Sequence, residues 1–430
     1  MDYFVGILSL FALLLFLCKY KKFGGKSIGF PLYFYIAMFP YKLRALPVFA
    51  YDDVVLKCLL ICDLLFVLIK RKKVRVNYYE IGILCAVVLS DLASIISGSV
   101  TDKSLMVTGM INILFMFMFT MAFRTRVVSP DGFRTVGTIF TCNAIILSIA
   151  AVIEVIKYQA LRAELGLNNP NYLAFYLAIS LCLQLHFARG RKYSVRKYVA
   201  AVIIVIGIVC TGSFSILLCI SIYLVLNIMY SMIQEKKRFH TTRIILICIT
   251  VIVPVIIWLS TVDGLKQLPI VGQLLSNKDS ERIYIWVNAI GDWLQKPILG
   301  WGYNCWRSHY SIGYVTHNDF IRLLVETGIF GVIMFLLFWL NAAKKIRKGN
   351  GRNQPMYISL AITVVVFSCF HNNINSILFW IMLELPQFDD IITGSLCNPR
   401  TPWRRHDMNS TDTARYQEPS QSQKTQPPAY

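Results

Sequence analysis

The segment 299–331 carries the residue types best suited to acid–base chemistry. Thr316 precedes an apolar run and Asp319 stands three positions later, which is a variant of the helix N-cap signature. This pattern predicts Thr316 as the N-cap and His317 as the first helical residue. The positive end of a helix favours an anion such as a diphosphate and disfavours an imidazolium ion. We therefore expect a neutral His317 that accepts a proton as a general base. The simpler alternative is an interfacial histidine that only hydrogen-bonds to the cap.

Arginines and amides elsewhere in the chain have the chemistry of a phosphate clamp. Arg282 opens an amphipathic stretch, and its planar fork forms paired hydrogen bonds with phosphate oxygens. Arg162 lies in another polar segment, where Asn168, Asn169 and Asn171 add amide donors. Such residues are more often solvated surface when they stand alone, so the pattern leaves both interpretations open.

Several further polar residues lie inside apolar segments. Arg322 and Glu326 stand four residues apart, and an i, i+4 ion pair is the favoured interpretation, although charges in membrane helices are often functional. Other candidates to face a polar interior are Asp63, Asp91, Glu154, His371, Asn372 and Asn373. No nucleotide-binding loop, zinc-ligand spacing, Ser-His-Asp pattern or Asp-x-Asp pattern is present, so the sequence predicts no metal and no cofactor.

The elements that position these residues are apolar helices. Hydrophobic residues make up 56% of the 430 residues and charged residues only 15%, whereas soluble chains carry about a quarter charged residues. A helix needs roughly 20 mostly apolar residues to cross a bilayer. The composition predicts an all-α, polytopic membrane protein of about twelve transmembrane helices. The apolar segments lie near 3–18, 27–40, 54–69, 80–98, 104–123, 135–156, 171–188, 197–212, 214–230, 243–260, 317–341 and 356–380.

The distribution of charge orients these helices. The net charge of +20 would suit nucleic acid if it covered one surface, but more than half of the 43 Lys and Arg residues fall in six short connecting segments. This is the positive-inside pattern, which predicts both termini outside the cell and no nucleic-acid partner. The six segments are 19–26, 70–75, 124–134, 189–197, 235–243 and 344–352.

The predicted external side has one long loop, residues 261–316, which contains four Trp residues. Within it, residues 281–294 place Ile283, Trp286 and Ile290 on one face of a helix. A helix of this kind suits the membrane interface, where Trp is enriched.

The first apolar segment, the segment 27–40 and the C-terminal region each have a distinctive composition. No small-residue cleavage site follows 3–18, so we interpret it as a retained first helix. The segment 27–40 is short and contains two Pro residues, and a re-entrant segment is the alternative to a span. Residues 394–430 are polar and rich in Pro, Gln, Ser and Thr, so we predict a disordered tail after a membrane domain at 1–393.

Several motifs in the long loop and the following helix occur in a recognisable order. An Arg and a Trp precede a Pro-Ile-Leu-Gly-x-Gly turn, and a His-Asn pair then opens a helix that continues to Glu-x-Gly. The residues concerned are Arg282, Trp286, Pro297–Gly302, His317, Asn318, Glu326 and Gly328. This order resembles the superfamily of O-antigen ligases and polysaccharide polymerases. Asn171, at the start of an upstream apolar segment, fits the same resemblance.

The resemblance implies a metal-independent, inverting glycosyltransferase with a helical fold of the GT-C type. Its donor would be an undecaprenyl-diphosphate-linked glycan, and its active site would face the periplasm from the bacterial inner membrane. A loop His deprotonates the acceptor hydroxyl in such proteins and loop arginines hold the diphosphate, which by position implies catalytic roles for His317 and Arg282. The implied substrate-binding residues are Arg162, Asn171, Asn318, Arg322 and Glu326. A chain-length regulator and a flippase of the same pathway are candidate partners, besides the bilayer.

One motif departs from the family pattern. Where the family often has an Arg after Thr-Gly-Ser, this chain has Phe214 after Thr211–Ser213. We expect Arg162, Arg307 or Arg322 to supply the charge, unless the diphosphate contacts differ.

The resemblance leaves the acceptor open. The long, variable loop favours a polymerase of repeat units in capsule, exopolysaccharide or O-antigen synthesis over a ligase that transfers glycan to a lipid A core. A flippase or exporter of the same lipid-linked oligosaccharide is the alternative from another class. That alternative predicts paired structural repeats, and the sequence shows none.

Overall fold

The computed structural model shows regular secondary structure that is entirely helical in the part of the chain it describes. The described residues are 2–41, 52–69, 76–100, 102–127, 129–160, 162–165, 169–188, 195–213, 215–223, 278–306, 315–348, 354–372 and 374–388. Arg307, Asn168, Phe214, Asn373 and the tail at 394–430 lie outside these ranges. All described residues belong to one unit, Met1–Cys397.

Thirteen α-helices are present among the described residues. They are α1 (Asp2–Lys19), α2 (Phe30–Met38), α3 (Asp52–Ile69), α4 (Tyr78–Ile96), α5 (Lys103–Arg126), α6 (Pro130–Tyr158), α7 (Pro170–Ala188), α8 (Val195–Thr211), α9 (215–223), α10 (Lys278–Gln295), α11 (Asp319–Lys348), α12 (Gln354–Phe370) and α13 (Ile377–Glu384).

Four of these helices, α4, α5, α6 and α11, are long and apolar enough to cross a bilayer. Parts of α1, α8 and α12 are apolar but shorter. The all-helical prediction for a membrane protein is therefore confirmed. The total of about twelve spans stays a prediction, because the predicted segment at 243–260 lies outside the described residues.

The structure distinguishes between a spanning and a re-entrant segment at 27–40. Helix α2 has only 9 residues, which at 1.5 Å per residue is about half the thickness of a hydrocarbon core. It begins with Pro31 in its first turn, a position where the missing N–H costs nothing. Most of its residues are buried within the bundle, and Tyr41, just beyond it, contacts the middle of α1 through Ser9. The helix therefore ends inside the bundle instead of crossing it.

Polar side chains fix where the long helices begin. The Asn77 side chain caps α4 by accepting the Tyr79 N–H at 3.2 Å, and Asp102 caps α5 at the Ser104 N–H, 2.9 Å away. Ser129 caps α6 in the same way. Each cap satisfies a backbone donor that the helix itself leaves unpaired.

Aromatic side chains fill the space between the helices. Phe175 of α7 stacks on Phe367 of α12 with ring centroids 4.3 Å apart, and Tyr176 stacks on Phe140 of α6 at 5.1 Å. These residues are fully buried or nearly so. The packing holds α6, α7 and α12 together, and so fixes the loops at their ends.

Candidate functional site

The Pro-Ile-Leu-Gly-x-Gly motif lies against a break in helix α11. At Gly328 the backbone leaves the helical conformation, with φ 66° and ψ −169°. The motif supplies replacements for the lost helical hydrogen bonds. Trp301 and Gly302 donate to the carbonyls of Val325 and Glu326, at 3.0 and 2.9 Å. In return, Ile329 donates to the Pro297 carbonyl at 2.9 Å. Broken helices at membrane depth are tolerated where protein groups satisfy the backbone in this way.

The glycines of the motif are required by this close approach. A Cβ added at Gly300 would lie 2.5 Å from the Glu326 backbone, and one at Gly328 would lie 2.2 Å from the Ile298 carbonyl oxygen. Two backbones therefore touch where a side chain has no room. The long loop is thereby fixed to the start of α11, the helix that follows His317.

Helix α10 confirms the predicted amphipathic helix and docks on the same loop. The Trp286 indole donates to the Thr316 carbonyl at 2.7 Å, next to His317. Asp292 receives two further indole donors, from Trp306 to its carboxylate and from Trp301 to its carbonyl. The predicted apolar face is only partly buried, and an exposed apolar stripe remains that suits the membrane interface. The stripe consists of Ile283, Val287, Ile290 and Leu294.

The predicted cap of α11 was wrong by two residues. The helix begins at Asp319, and Asn318 is the N-cap, because its Oδ1 accepts the N–H groups of Phe320 at 2.9 Å and Ile321 at 3.1 Å. Asn is as good a cap as Thr and stands next to the helix. Thr316 instead donates from its hydroxyl to the carbonyl of Asn318.

His317 consequently lies before the helix, in a left-handed backbone conformation with φ 48°. The ring is exposed rather than packed in the first turn. Because the Asn318 side chain satisfies two N–H groups of this helix end, the end itself is a weaker anion site than the sequence suggested.

Arg282, Arg162 and His317 all lie close enough to His371 to lower its pKa, and Arg282 also acts on His317. The protein atoms around the ring and, next, the charge of Arg282 lower the pKa of His317 below its usual value. Burial lowers the pKa of His371, just after α12, to about 3, with Arg282, His317 and Arg162 adding to the effect. The site therefore holds two neutral imidazoles beside two guanidinium groups.

Arg282 is the most available of these cations. Its side chain is partly exposed, and no ion pair or hydrogen bond to it is present in the part of the chain that the structure describes. A guanidinium without a carboxylate partner is suited to an anionic ligand.

Arg162 lies at the Thr-Gly-Ser turn where the family pattern has its own arginine. Its Nε donates to the Thr211 carbonyl at 2.8 Å, and its Nη2 donates to Asn171 Oδ1 at 2.9 Å. The buried Glu154 fixes the loop around Arg162 by accepting the N–H of Leu165 at 3.0 Å. Of the three residues expected to supply the charge, Arg162 is therefore at the right turn, whereas Arg322 is paired elsewhere.

A polar cavity of about 210 Å³ opens beside Thr316. The favoured interpretation of Arg322 and Glu326 is confirmed, because they form a buried ion pair at 2.9 Å that lines this cavity. The rest of the lining is uncharged and is provided by Tyr172, Asn304, Trp306, Val315, Thr316, Asn372 and Asn375.

No group of three or more His, Cys, Asp or Glu side chains is arranged to hold a metal ion within the ranges described above.

The comparison with protein families bears on this same region. Residues 199–336 match the family model of the O-antigen ligase. No curated protein matches the chain. The matched region contains the Thr211–Ser213 turn, the Pro297–Gly302 motif and His317.

The resemblance to the O-antigen ligase superfamily is thereby confirmed for about a third of the chain. Apolar helices together with this match indicate a multi-pass membrane protein that is similar to the O-antigen ligases over residues 199–336.

The structure brings most of the sequence-predicted residues to one region. His317 and Arg282 lie close enough to interact electrostatically, and Arg162 is bonded to Asn171. Asn318 caps helix α11, and the ion pair of Arg322 with Glu326 forms part of the cavity wall. Their roles toward a substrate stay proposals.

The polar residues at 371–375 contribute more to the cavity than their sequence pattern indicates. Asn372 was named as a candidate to line a cavity and does so, while Asn375 and Asn304 were missed. The available signal was the density of Asn residues after an apolar segment, together with the Asn that follows the Gly-x-Gly turn. Neither pattern indicates by itself which surface the amides face.

Proposed function

We propose that this chain is a polymerase of undecaprenyl-diphosphate-linked oligosaccharide repeat units, with residues 1–393 as a GT-C-type catalytic domain. The observation that carries the proposal is the convergence of Arg282, Arg162, His317 and His371 beside a polar cavity. A lipid-linked donor brings a diphosphate and a sugar to the same place. The site offers the guanidinium of Arg282 for the first, with Arg162 nearby, and neutral polar groups for the second.

The proposed reaction needs one base and one clamp. An acceptor hydroxyl attacks the anomeric carbon of the donor, and the bond from that carbon to the diphosphate oxygen breaks. His317 takes the hydroxyl proton, which its lowered pKa allows because the ring is neutral near pH 7. Arg282 and Arg162 balance the charge that develops on the leaving diphosphate. Attack opposite the leaving group inverts the anomeric configuration, and no step requires a metal.

The central experiment uses membranes that contain the full chain and a purified lipid-linked repeat unit. His317→Ala should abolish the ladder of longer glycans, with a loss of about 10²–10⁴-fold, as for other general bases. Lys103→Ala, which removes an exposed charge at the start of α5, is the control and should keep the ladder. Normal ladders from His317→Ala at equal protein levels would contradict the proposal.

The same assay separates the alternatives. A ladder made from lipid-linked repeat units alone supports the polymerase. A product that forms only when a lipid A core is added would indicate a ligase. Translocation without any new glycosidic bond would indicate a flippase or exporter.

The proposed location is the bacterial inner membrane, with the site on the periplasmic face. An impermeant thiol reagent should label Lys103→Cys in intact cells, because this residue lies at the same end as the site. Asp131→Cys, at the start of α6 beside a basic segment, should be labelled only after the cells are opened. The reverse pattern would place the site in the cytoplasm.

A further inference from the structure

The cavity beside Thr316 is lined by two side-chain amides that contact hydroxyl groups. Asn375 Oδ1 accepts the Tyr303 hydroxyl at 2.6 Å. Asn372 Oδ1 lies 3.2 Å from the Thr316 hydroxyl, whose hydrogen it shares with the Asn318 carbonyl. No described group receives a hydrogen bond from either Nδ2, and neither nitrogen is sealed away from the cavity. The Nδ2 groups of both residues are therefore available as donors to a ligand in the cavity.

The charge of the lining is balanced. Arg322 and Glu326 are the two charged residues on the cavity wall, and they neutralise each other in an ion pair. Hydroxyl and amide oxygens of Thr316, Asn304, Asn372 and Asn375 add neutral acceptors to the lining, and Tyr172 and Trp306 provide aromatic surface. Donors and acceptors side by side without net charge match sugar hydroxyl groups, each of which both donates and accepts. An anionic ligand would instead bind near the guanidinium groups of Arg282 and Arg162.

The size of the cavity limits the ligand. Pockets for drug-sized ligands are roughly 300–1,000 Å³, whereas this one is about 210 Å³. Because the cavity is partly open to solvent, it encloses about one sugar ring while the rest of a glycan extends outside it.

The position of the cavity relative to His317 indicates which sugar it holds. A general base must lie within hydrogen-bond reach of the hydroxyl that it deprotonates. Thr316, which lines the cavity, directly precedes His317. The donor sugar is instead tied to the diphosphate, for which the available cation is Arg282.

We infer that this cavity binds the terminal, uncharged sugar of the acceptor glycan through the Nδ2 groups of Asn372 and Asn375. The inference rests on the proposed transferase function and adds the substrate class of this subsite. The two amides are then specificity-determining residues for the acceptor.

The test separates donor from acceptor by chemistry. The donor is a lipid-diphosphate-linked repeat unit whose accepting hydroxyl is methylated, so that it can only donate. The acceptor is the same repeat unit on a short alkyl glycoside, which has no leaving group and can only accept. Transfer is measured in membranes while one of the two concentrations is varied.

Asn372→Asp and Asn375→Asp keep an acceptor for Thr316 and Tyr303 and remove the N–H donors, but they add a negative charge. Each should raise the KM for the acceptor about 3–10-fold, as expected for loss of one neutral hydrogen bond, and the double variant should raise it further. The KM for the donor should not change. Asn375→Ala provides a variant without an added charge and should act in the same direction.

The matched control is Asn112→Asp on α5, whose side chain accepts from Lys57 outside the cavity. It should leave both KM values unchanged. A raised donor KM, or no change in either KM, would overturn the inference, as would tighter binding of an acceptor that ends in a uronic acid. Absence of transfer by the wild-type chain would instead refute the proposed function.

Discussion

Arginines lie at both ends of the helix bundle, but the two ends differ in whether carboxylates pair with those arginines. At the end near the basic segments, Arg124 forms paired hydrogen bonds with Glu80, one of them at 2.9 Å, and a third with Glu384 at 3.1 Å. Arg126 is paired with Asp63 in the same region. At the other end, Arg282 has no carboxylate partner in the described chain.

This difference separates structural from ligand-binding charges. The protein itself balances the charge of a buried arginine that is paired with two carboxylates, so that arginine has little charge left for a ligand. At the other end Arg282 lies near two neutral imidazoles, and no described carboxylate balances its charge. An anion would supply that balance, so this end is where we propose that a diphosphate binds.

The largest effect is expected at the paired end. Arg124→Ala leaves Glu80 and Glu384 buried without their cation, which should cost about 3–5 kcal/mol of stability. Thermal unfolding of the detergent-purified chain measures this loss, and membrane levels should fall with it. A variant with wild-type thermal stability would show that the two ends do not differ as described.

The corresponding change at the unpaired end should affect activity instead. Arg282→Ala should lower transfer about 10²–10³-fold, the usual cost of losing one transition-state charge contact, with little change in stability. Arg282→Lys should also be impaired, because a point charge does not replace the planar fork. Arg134→Ala, which removes a partly exposed pair with Asp131, is the control and should keep its activity. Loss of folding in Arg282→Ala would contradict the assignment.

A third variant tests whether the loop must touch α11 for the site to form. Gly328→Ala forces a backbone conformation that only glycine adopts readily, at a cost of about 1–3 kcal/mol, and adds a Cβ 2.2 Å from the Ile298 oxygen. Transfer should fall along with stability. Gly98→Ala shares the positive φ of 66° but has open space around its Cβ. If both variants lost transfer equally, backbone strain and not the contact would be responsible.

The smallest effect is a shift in pH dependence. His317 works only when neutral, so activity falls as the pH drops through its pKa, which lies below the usual value because of the protein atoms near the ring and the charge of Arg282. Removing that charge in Arg282→Gln should raise this pKa. The acid limb of kcat/KM should then move to higher pH, by up to about one unit for a charge that contributes no more than 1.4 kcal/mol. Lys103→Gln should not move it, and an unchanged limb in Arg282→Gln would separate His317 from Arg282.

The sequence alone predicted that the protein lies in a membrane, that it is helical, and which chemistry its central residues offer. Apolar length and basic connecting segments are local properties, so they predicted α4, α5, α6 and α11 without any knowledge of packing. The ion pair of Arg322 with Glu326 was also predictable, because helical spacing fixes which side chains meet. The order of the motifs pointed to His317 and Arg282 before their positions were known.

Only the tertiary structure decided how those residues meet. The cap of α11 moved from Thr316 to Asn318 because several polar residues compete for one helix end, and the surrounding loop selects among them. The cavity depends on the amides of Asn372 and Asn375 facing residues more than fifty positions away in the chain. Such contacts leave no periodic trace in the sequence, since they arise from the packing of whole helices and the break at Gly328.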